Sequence, residues 1–319
     1  MSVSKKSIKQ ILEPHIDAET KKMDVGGLMI PPTSPLTGLL YGFAHHENLR
    51  AKEYYFWRIC DELWNHDELP EPLMVRHPWA EQMIWAALNN KYLAIGGSAS
   101  SGKSHTMAAW GIINWLSQPK DTLVLMTSTT LREARKRIWG SVMSLLSVVE
   151  GAPIKIRDSI GSAAYVSEKG TLIERAGLSL IASERSKTRE AVGKLIGIKA
   201  RRTLLIADEL SELSESILQA GLTNLSKNPE FQLIGMSNPN SRFDAFGVWS
   251  EPINGWDSVD TNNQDDWTTK WGGDYIRLDG ERSPNILAGE VLYPWLPTEE
   301  KINEDKALLG PESRGYMRM

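Results

Sequence analysis

Five short apolar runs, at residues 92–95, 123–126, 178–182, 204–207 and 232–236, stand out from their polar surroundings. Each is too short for a helix and reads as a strand buried on both faces. The segments between them are longer, and several carry apolar residues at helical spacing. Strands alternating with helices predict an α/β fold with a largely parallel sheet wrapped by helices. Upstream the pattern is helical instead: a short amphipathic stretch at 7–16, a Gly/Pro-rich connector at 26–38, and a longer helix at 49–64. Residues 1–73 therefore read as an N-terminal helical appendage. Pro70, Pro72 and Pro78 punctuate the chain next, and Trp79, Met83, Ala86 and Ala87 then recur at helical spacing, so the core is expected over 74–248. Beyond the last apolar run, residues 254–273 turn acidic and rich in Trp and Asn, which reads as an irregular surface within a C-terminal lobe at 249–319. The chain shows no internal repeat and no low-complexity tract.

At 319 residues, with 41% hydrophobic and 24% charged, the chain can bury a sizeable core. The lone Cys60 can close no intrachain disulfide and build no thiolate zinc cluster. No apolar run approaches the roughly 18 residues of a membrane span, and residues 1–10 lack a secretory signal, so a cytoplasmic protein with no membrane partner is expected. A net charge of -4 excludes a uniformly basic nucleic-acid binder, but the charge is unevenly spread. Between 185 and 202, Arg185, Lys187, Arg189, Lys194, Lys199, Arg201 and Arg202 face one acid, Glu190, whereas 251–279 sets seven acids against Lys270 and Arg277. The basic strip is expected to contact DNA phosphates or a neighbouring subunit, a solvated loop being the competing reading; the acidic stretch is its natural counterpart.

The densest chemical signal is Gly97, Ser98, Ala99, Ser100, Ser101, Gly102, Lys103, Ser104, a full G-x-x-x-x-G-K-S placed after one expected strand and before a helical run. Glycine lets backbone N–H groups turn inward, and the helix N-terminus behind the loop adds a favourable dipole, so this loop suits a triphosphate. Lys103 should meet the β- and γ-phosphates, and Ser104 should ligate Mg²⁺. The run at 204–207 ends in Asp208 and Glu209, on the side of a parallel sheet where ligands bind. Asp208 is placed for the magnesium shell and Glu209 to activate water, although such a pair also marks a helix start. Ser237 and Asn238 follow the last run and could bond a γ-phosphate or the attacking water, or simply begin a turn. Gln82 could recognise adenine through its amide or be a solvated helix residue. Thr127, Ser128, Thr129 and Thr130, with the arginines of 131–137, suit phosphodiester contact as well as plain helix capping. Of the twelve tryptophans, Trp79, Trp85, Trp110, Trp115 and Trp139 read as core.

In this order, Gln82, residues 97–104, 127–130, 204–209 and 237–239 resemble the ATPase domain of the large terminase subunit of tailed bacteriophages. The likeness extends more loosely to 275–280 and 283–285. It implies a RecA-like ASCE P-loop NTPase that binds ATP and Mg²⁺ and threads double-stranded DNA into a procapsid in the host cytoplasm. The portal protein, the small terminase subunit and further copies of the chain in a ring are the implied partners. Lys103, Ser104, Asp208 and Glu209 become the catalytic set, and Ser237 with Asn238 the coupling motif. Two departures stand out. Many members carry a basic residue inside the phosphate loop where this chain has Ala99, so an arginine finger is expected from elsewhere, with Arg189 and Arg242 among the options. Members also continue into a nuclease, for which 249–319 offers too little chain, so no nuclease activity is expected. A P-loop kinase and a non-hydrolysing docking scaffold are the alternatives: the first would not need Glu209, the second would not turn over.

Overall fold

The computed structural model describes residues 23–25, 28–30, 35–167, 169–182 and 200–310, together with 193, 195 and 198. Two short strands, β1 (Met23–Val25) and β2 (Leu28–Ile30), pair as an antiparallel hairpin. Helix α1 (Pro35–His45) follows, with Thr37, Leu40 and Phe43 as its buried stripe. The connector expected at 26–38 is thus partly strand and partly helix, because proline fits the first turn of a helix as well as it fits a linker. Helix α2 (Leu49–Trp64) starts at Asn48, whose side chain accepts the N–H groups of Arg50 and Ala51. Helix α3 (Pro78–Asn89) is capped in the same way by His77.

The two helices before residue 73 are not an appendage. The Phe43 and Phe56 rings lie 5.8 and 5.9 Å from Trp110, and the Trp64 indole donates to the carbonyl of Leu145 at 3.0 Å. These helices and the core proper share one apolar interior, so the expected boundary at 73/74 separates no two cores.

From there the chain alternates as its pattern requires. β3 (Tyr92–Gly97) leads into α4 (Lys103–Ser117), and β4 (Thr122–Ser128) into α5 (Leu131–Lys136) and α6 (Ile138–Leu146). β5 (Ile154–Arg157), β6 (Ser162–Val166) and β7 (Leu172–Ala182) form a meander. β8 (Arg202–Ala207) precedes α7 (Glu215–Ala220), and β9 (Glu230–Ser237) precedes α8 (Ala245–Ser250). β10 (Asp266–Thr268), β11 (Asp274–Leu278), α9 (Pro284–Ala288) and α10 (Glu299–Leu309) complete the described chain.

One nine-stranded sheet runs in the order β10-β11-β3-β9-β8-β4-β7-β6-β5. The block from β11 to β7 is parallel, and both edges are antiparallel. Helices cover both faces: Trp115, Trp139 and Ile113 pack on one, and Ile217, Phe246 and Trp249 on the other. That double burial is why β4 is apolar or hydroxyl-bearing at every position. Trp79, Trp110, Trp115 and Trp139 are buried as expected, while Trp85 is only half-buried and carries the Arg50 guanidinium 3.4 Å above its ring.

β11 corrects the sequence reading, which placed no core strand after 232–236. It pairs in parallel with β3, so a boundary at 248/249 would cut through the sheet. Arg277 in the middle of the strand hides its pattern; Asp265 and Asp279, each at 3.1 Å, neutralise that charge. Gly97 lets the strands approach, since a Cβ there would lie 2.7 Å from Leu278 Cβ. Three of the seven acids of 251–279 are matched internally: Glu251 pairs with Lys270, and Asp265 and Asp279 also meet Arg282. No helix among the described residues is long and apolar enough to cross a membrane.

Candidate functional site

The C-terminal ends of β3, β4, β8 and β9 meet at one edge of the sheet, where parallel α/β folds bind ligands. Between β3 and α4 the phosphate loop turns through left-handed backbone at Ser100 (φ 59°) and Gly102 (φ 79°). No side chain caps the N-terminus of α4, so its first N–H groups and its dipole face the space enclosed by the loop.

Lys103 is folded into that space. Its ammonium donates to the carbonyls of Gly97 (3.0 Å) and Ser98 (2.7 Å), to Ser101 Oγ (2.9 Å) and to Asn238 Oδ1 (3.1 Å). Burial pulls its pKa down to about 8 against the opposing pull of Glu209 and Asp208. A cation resting on carbonyls of its own loop stands where a polyanion would be better matched. The buried Ser98 hydroxyl has no hydrogen-bond partner among the described residues, a second sign that the loop is shaped for a guest.

Ser104 Oγ donates to both carboxylate oxygens of Asp208, at 3.1 and 3.2 Å. Burial, and then the charge of Glu209, push the Asp208 pKa up to about 6, while Ser104, Lys103 and Arg137 pull the other way. A hydroxyl and a carboxylate beside a phosphate loop are hard oxygen donors that fit a Mg²⁺ retaining water and phosphate ligands. Asp208 is held by its backbone N–H, which donates to Thr127 O at 2.9 Å and carries the β8–β4 ladder one residue further.

Glu209 follows in the left-handed region (φ 53°), rare for a side-chain-bearing residue and costly by roughly 1–2 kcal/mol. Its carboxylate is ion-paired to Arg137 at 2.6 Å. Arg137 sits at the break between α5 and α6, where its own backbone (φ -112°, ψ -109°) is helical in neither direction. Sequence reading missed this partner, for 72 positions separate the two residues and only the sheet brings them together. The odd backbone lies within the 131–137 run of arginines, which was the one available signal.

Ser237 and Asn238 divide between two tasks. Asn238 accepts the Lys103 ammonium, whereas Ser237 Oγ donates to Ser211 Oγ at 2.7 Å and accepts the Ser211 N–H at 3.3 Å, bracing the turn after Glu209. Gln82 is half-buried on α3 and makes no hydrogen bond among the described residues. Thr130 caps α5 through Glu133 N–H at 3.1 Å, and Arg135 donates to the carbonyls of Asp158 and Ser159, so those residues have structural partners.

Arg185, Lys187, Arg189, Lys194 and Lys199 lie outside the described residues. Arg202 begins β8 at the end of the sheet opposite the phosphate loop, where it bonds Asn114 Oδ1 at 2.5 Å and lies 3.7 Å from Glu230, so it has structural partners of its own. The guanidinium is half-buried and its bonds are internal to the chain. Arg201 beside it is exposed and 3.5 Å from Glu230.

No protein-family model and no curated protein matches this sequence. Solved structures do. The large terminase ATPase domain of Thermus phage P74-26, in a mutant form, superposes with a TM-score of 0.53 over 81% of this chain and 97% of its own, at 13% identity. The chain has the fold of a large terminase ATPase domain. The unmutated P74-26 domain gives a TM-score of 0.50 over 81% and 96% of the two chains, again at 13% identity. The large terminase of another thermophilic bacteriophage, in complex with ADP, gives 0.47 at 13% identity, covering 84% of this chain and 51% of that one. At such identities the likeness is one of fold, and the chemistry must be argued from this chain's own residues.

Proposed function

We propose that this chain is an ATP-hydrolysing motor domain that moves double-stranded DNA, as a large terminase subunit does when it fills a procapsid. The observation that carries the reading is the convergence of Lys103, Ser104, Asp208 and Asn238 around one uncapped helix N-terminus, with Glu209 at the next position. In this reading the triphosphate takes the loop, and Lys103 turns from its own carbonyls to the β- and γ-phosphates. Ser104 and Asp208 would hold Mg²⁺, which when bound screens the charge of the β- and γ-phosphates. Glu209, released from Arg137, accepts a proton from water as that water's oxygen bonds to the γ-phosphorus. The bond from that phosphorus to the β–γ bridging oxygen breaks, leaving ADP and inorganic phosphate. Asn238 is within reach of the same phosphate through its contact with Lys103.

Duplex DNA, the portal protein, the small terminase subunit and other copies of the chain in a ring are the partners of this reading, and the host cytoplasm its setting. The shared fold and the described site support the motor chemistry; these partners extend it. Phosphate release from ATP and Mg²⁺, with and without duplex DNA and across protein concentration, tests it. Turnover stimulated by DNA and rising steeply with concentration is expected, and Glu209→Gln should lower it by on the order of 10²-fold or more. Turnover that the substitution leaves untouched would remove Glu209 from the chemistry.

A further inference from the structure

The loop between α9 and α10 carries an aromatic pair that the phosphate chemistry does not use. Asn285, almost fully buried, gives its whole amide to that loop. Its Nδ2 donates to the carbonyls of Tyr293 and Leu296 (2.9 and 3.2 Å), and its Oδ1 accepts the N–H groups of Leu292 and Tyr293 (2.9 Å each). Ser283 Oγ donates to Pro297 O at 2.6 Å. The backbone is therefore pinned on both sides of Trp295.

The braced rings stand against His77. Its centroid lies 5.5 Å from Tyr293 and 6.5 Å from Trp295, and those two are 6.0 Å apart. His77 Nδ1 accepts the Ala80 N–H at 3.3 Å, which leaves the proton of the neutral ring on Nε2. Nε2 would lie 3.6 Å from a Cβ on Gly102, so the aromatic group borders the N-terminus of α4. Trp295 keeps 46% of its surface exposed, and its centroid lies 6.5 Å from the His77 ring that borders Gly102.

The direction of a bound nucleotide follows from the sheet order. Asn238 and Asp208, at the ends of β9 and β8, mark the γ-phosphate end on one side of β3. The nucleoside must leave toward the other side, where β11 lies and where the loop with Tyr293 and Trp295 follows it. We propose that Tyr293 and Trp295, braced by Asn285 and backed by His77, form the stacking platform for the base of the nucleotide held at the phosphate loop. The inference rests on the nucleotide-binding reading above and gives it a ligand class: a nucleoside triphosphate rather than a bare polyphosphate. Base recognition then belongs first to the aromatic loop, and Gln82 is not required for it.

Calorimetric affinities for ATP and for inorganic tripolyphosphate separate the two parts of the site. Trp295→Ala should weaken ATP by on the order of tenfold or more, the usual effect of losing one base–aromatic stack, and leave tripolyphosphate unchanged. Trp295→Phe, which keeps a π-face, should retain most of the ATP affinity. Lys103→Ala should weaken both ligands. An ATP-to-tripolyphosphate ratio that Trp295→Ala does not move, while Lys103→Ala still weakens both, overturns the platform and leaves the phosphate site standing. Equal loss of both ligands in Trp295→Ala overturns it too, since that marks a disturbed loop rather than a lost stack. If Lys103→Ala affects neither ligand, the phosphate site falls and the platform with it.

Discussion

Removing Arg137 should speed basal hydrolysis, which is the reverse of what deleting a catalytic arginine does. In the structure the Arg137 guanidinium is 2.6 Å from the Glu209 carboxylate, a contact that occupies the oxygen which would face an attacking water. The side chains are 40% and 24% exposed, so water and salt screen the pair and its strength is about 1 kcal/mol at most. If that contact must break before Glu209 takes a proton, its loss lowers the barrier by the same amount, about fivefold in rate. Single-turnover phosphate release from saturating ATP and Mg²⁺ measures the chemical step with product release removed. Arg137→Ala should raise that rate about fivefold and shift the melting temperature by only a few degrees. Added salt should raise the wild-type rate toward that of the variant and leave the variant flat. A tenfold or larger fall in Arg137→Ala would refute the reasoning and place the guanidinium on the transferring phosphate instead.

Three further outcomes are expected. Burial holds Lys103 at about 8 against 10.5 for the free side chain, so between those values the unfolded chain binds more protons than the folded one and this group's contribution to stability rises with pH. A bound triphosphate should draw the proton back, so calorimetry in two buffers at pH 8 to 9 should show proton uptake on ATP binding, absent in Lys103→Ala. Arg202→Ala should cost about 2 kcal/mol of stability through its lost bond to Asn114, with turnover per folded molecule and duplex DNA affinity unchanged; a fall in DNA affinity would return Arg202 to the basic strip. Gly97→Ala should destabilise by about 1–3 kcal/mol, because the new methyl collides with Leu278 in the adjacent strand; an unchanged melting temperature would mean that β11 can move aside.

The phosphate loop and the Asp208–Glu209 pair were legible because their signals are local. Gly102 adopts the left-handed turn its position calls for, and two carboxylates after an apolar run leave few other placements. What escaped depends on partners distant in sequence. Only the first turn of α1 falls in the connector expected at 26–38, and the helix was not foreseen because the worth of Phe43 shows only against Trp110. β11 was invisible while Arg277 stood unneutralised, and Asp265 reaches it from a separate loop. Arg202 looked like one more charge in a basic run, although it is the first residue of a buried strand and finds Asn114 across the fold. Arg137 belonged to a helix by pattern, and only the break after Lys136 turns it toward Glu209.

Ser237, the last residue of β9, and Asn238 just beyond it also tie the two arms of the site to each other. Ser237 braces the turn after Glu209 through Ser211, and Asn238, one residue on, takes the ammonium of Lys103. The brace is buried, with both hydroxyls satisfied by each other, whereas the Lys103 contact competes with any phosphate entering the loop. Phosphate arrival therefore changes the partner of Asn238 and leaves that of Ser237 intact. Ser237 is bonded to Ser211 and Asn238 to Lys103, so the contact that changes with the occupant of the loop is separate from the one that holds the turn after Glu209. On this arrangement Asn238→Ala should weaken the response of turnover to nucleotide without loosening Glu209, whereas Ser237→Ala should loosen Glu209 with nucleotide affinity kept. Titrating ATP against single-turnover rate in both variants separates the two, and identical profiles would mean that the pair acts as one unit.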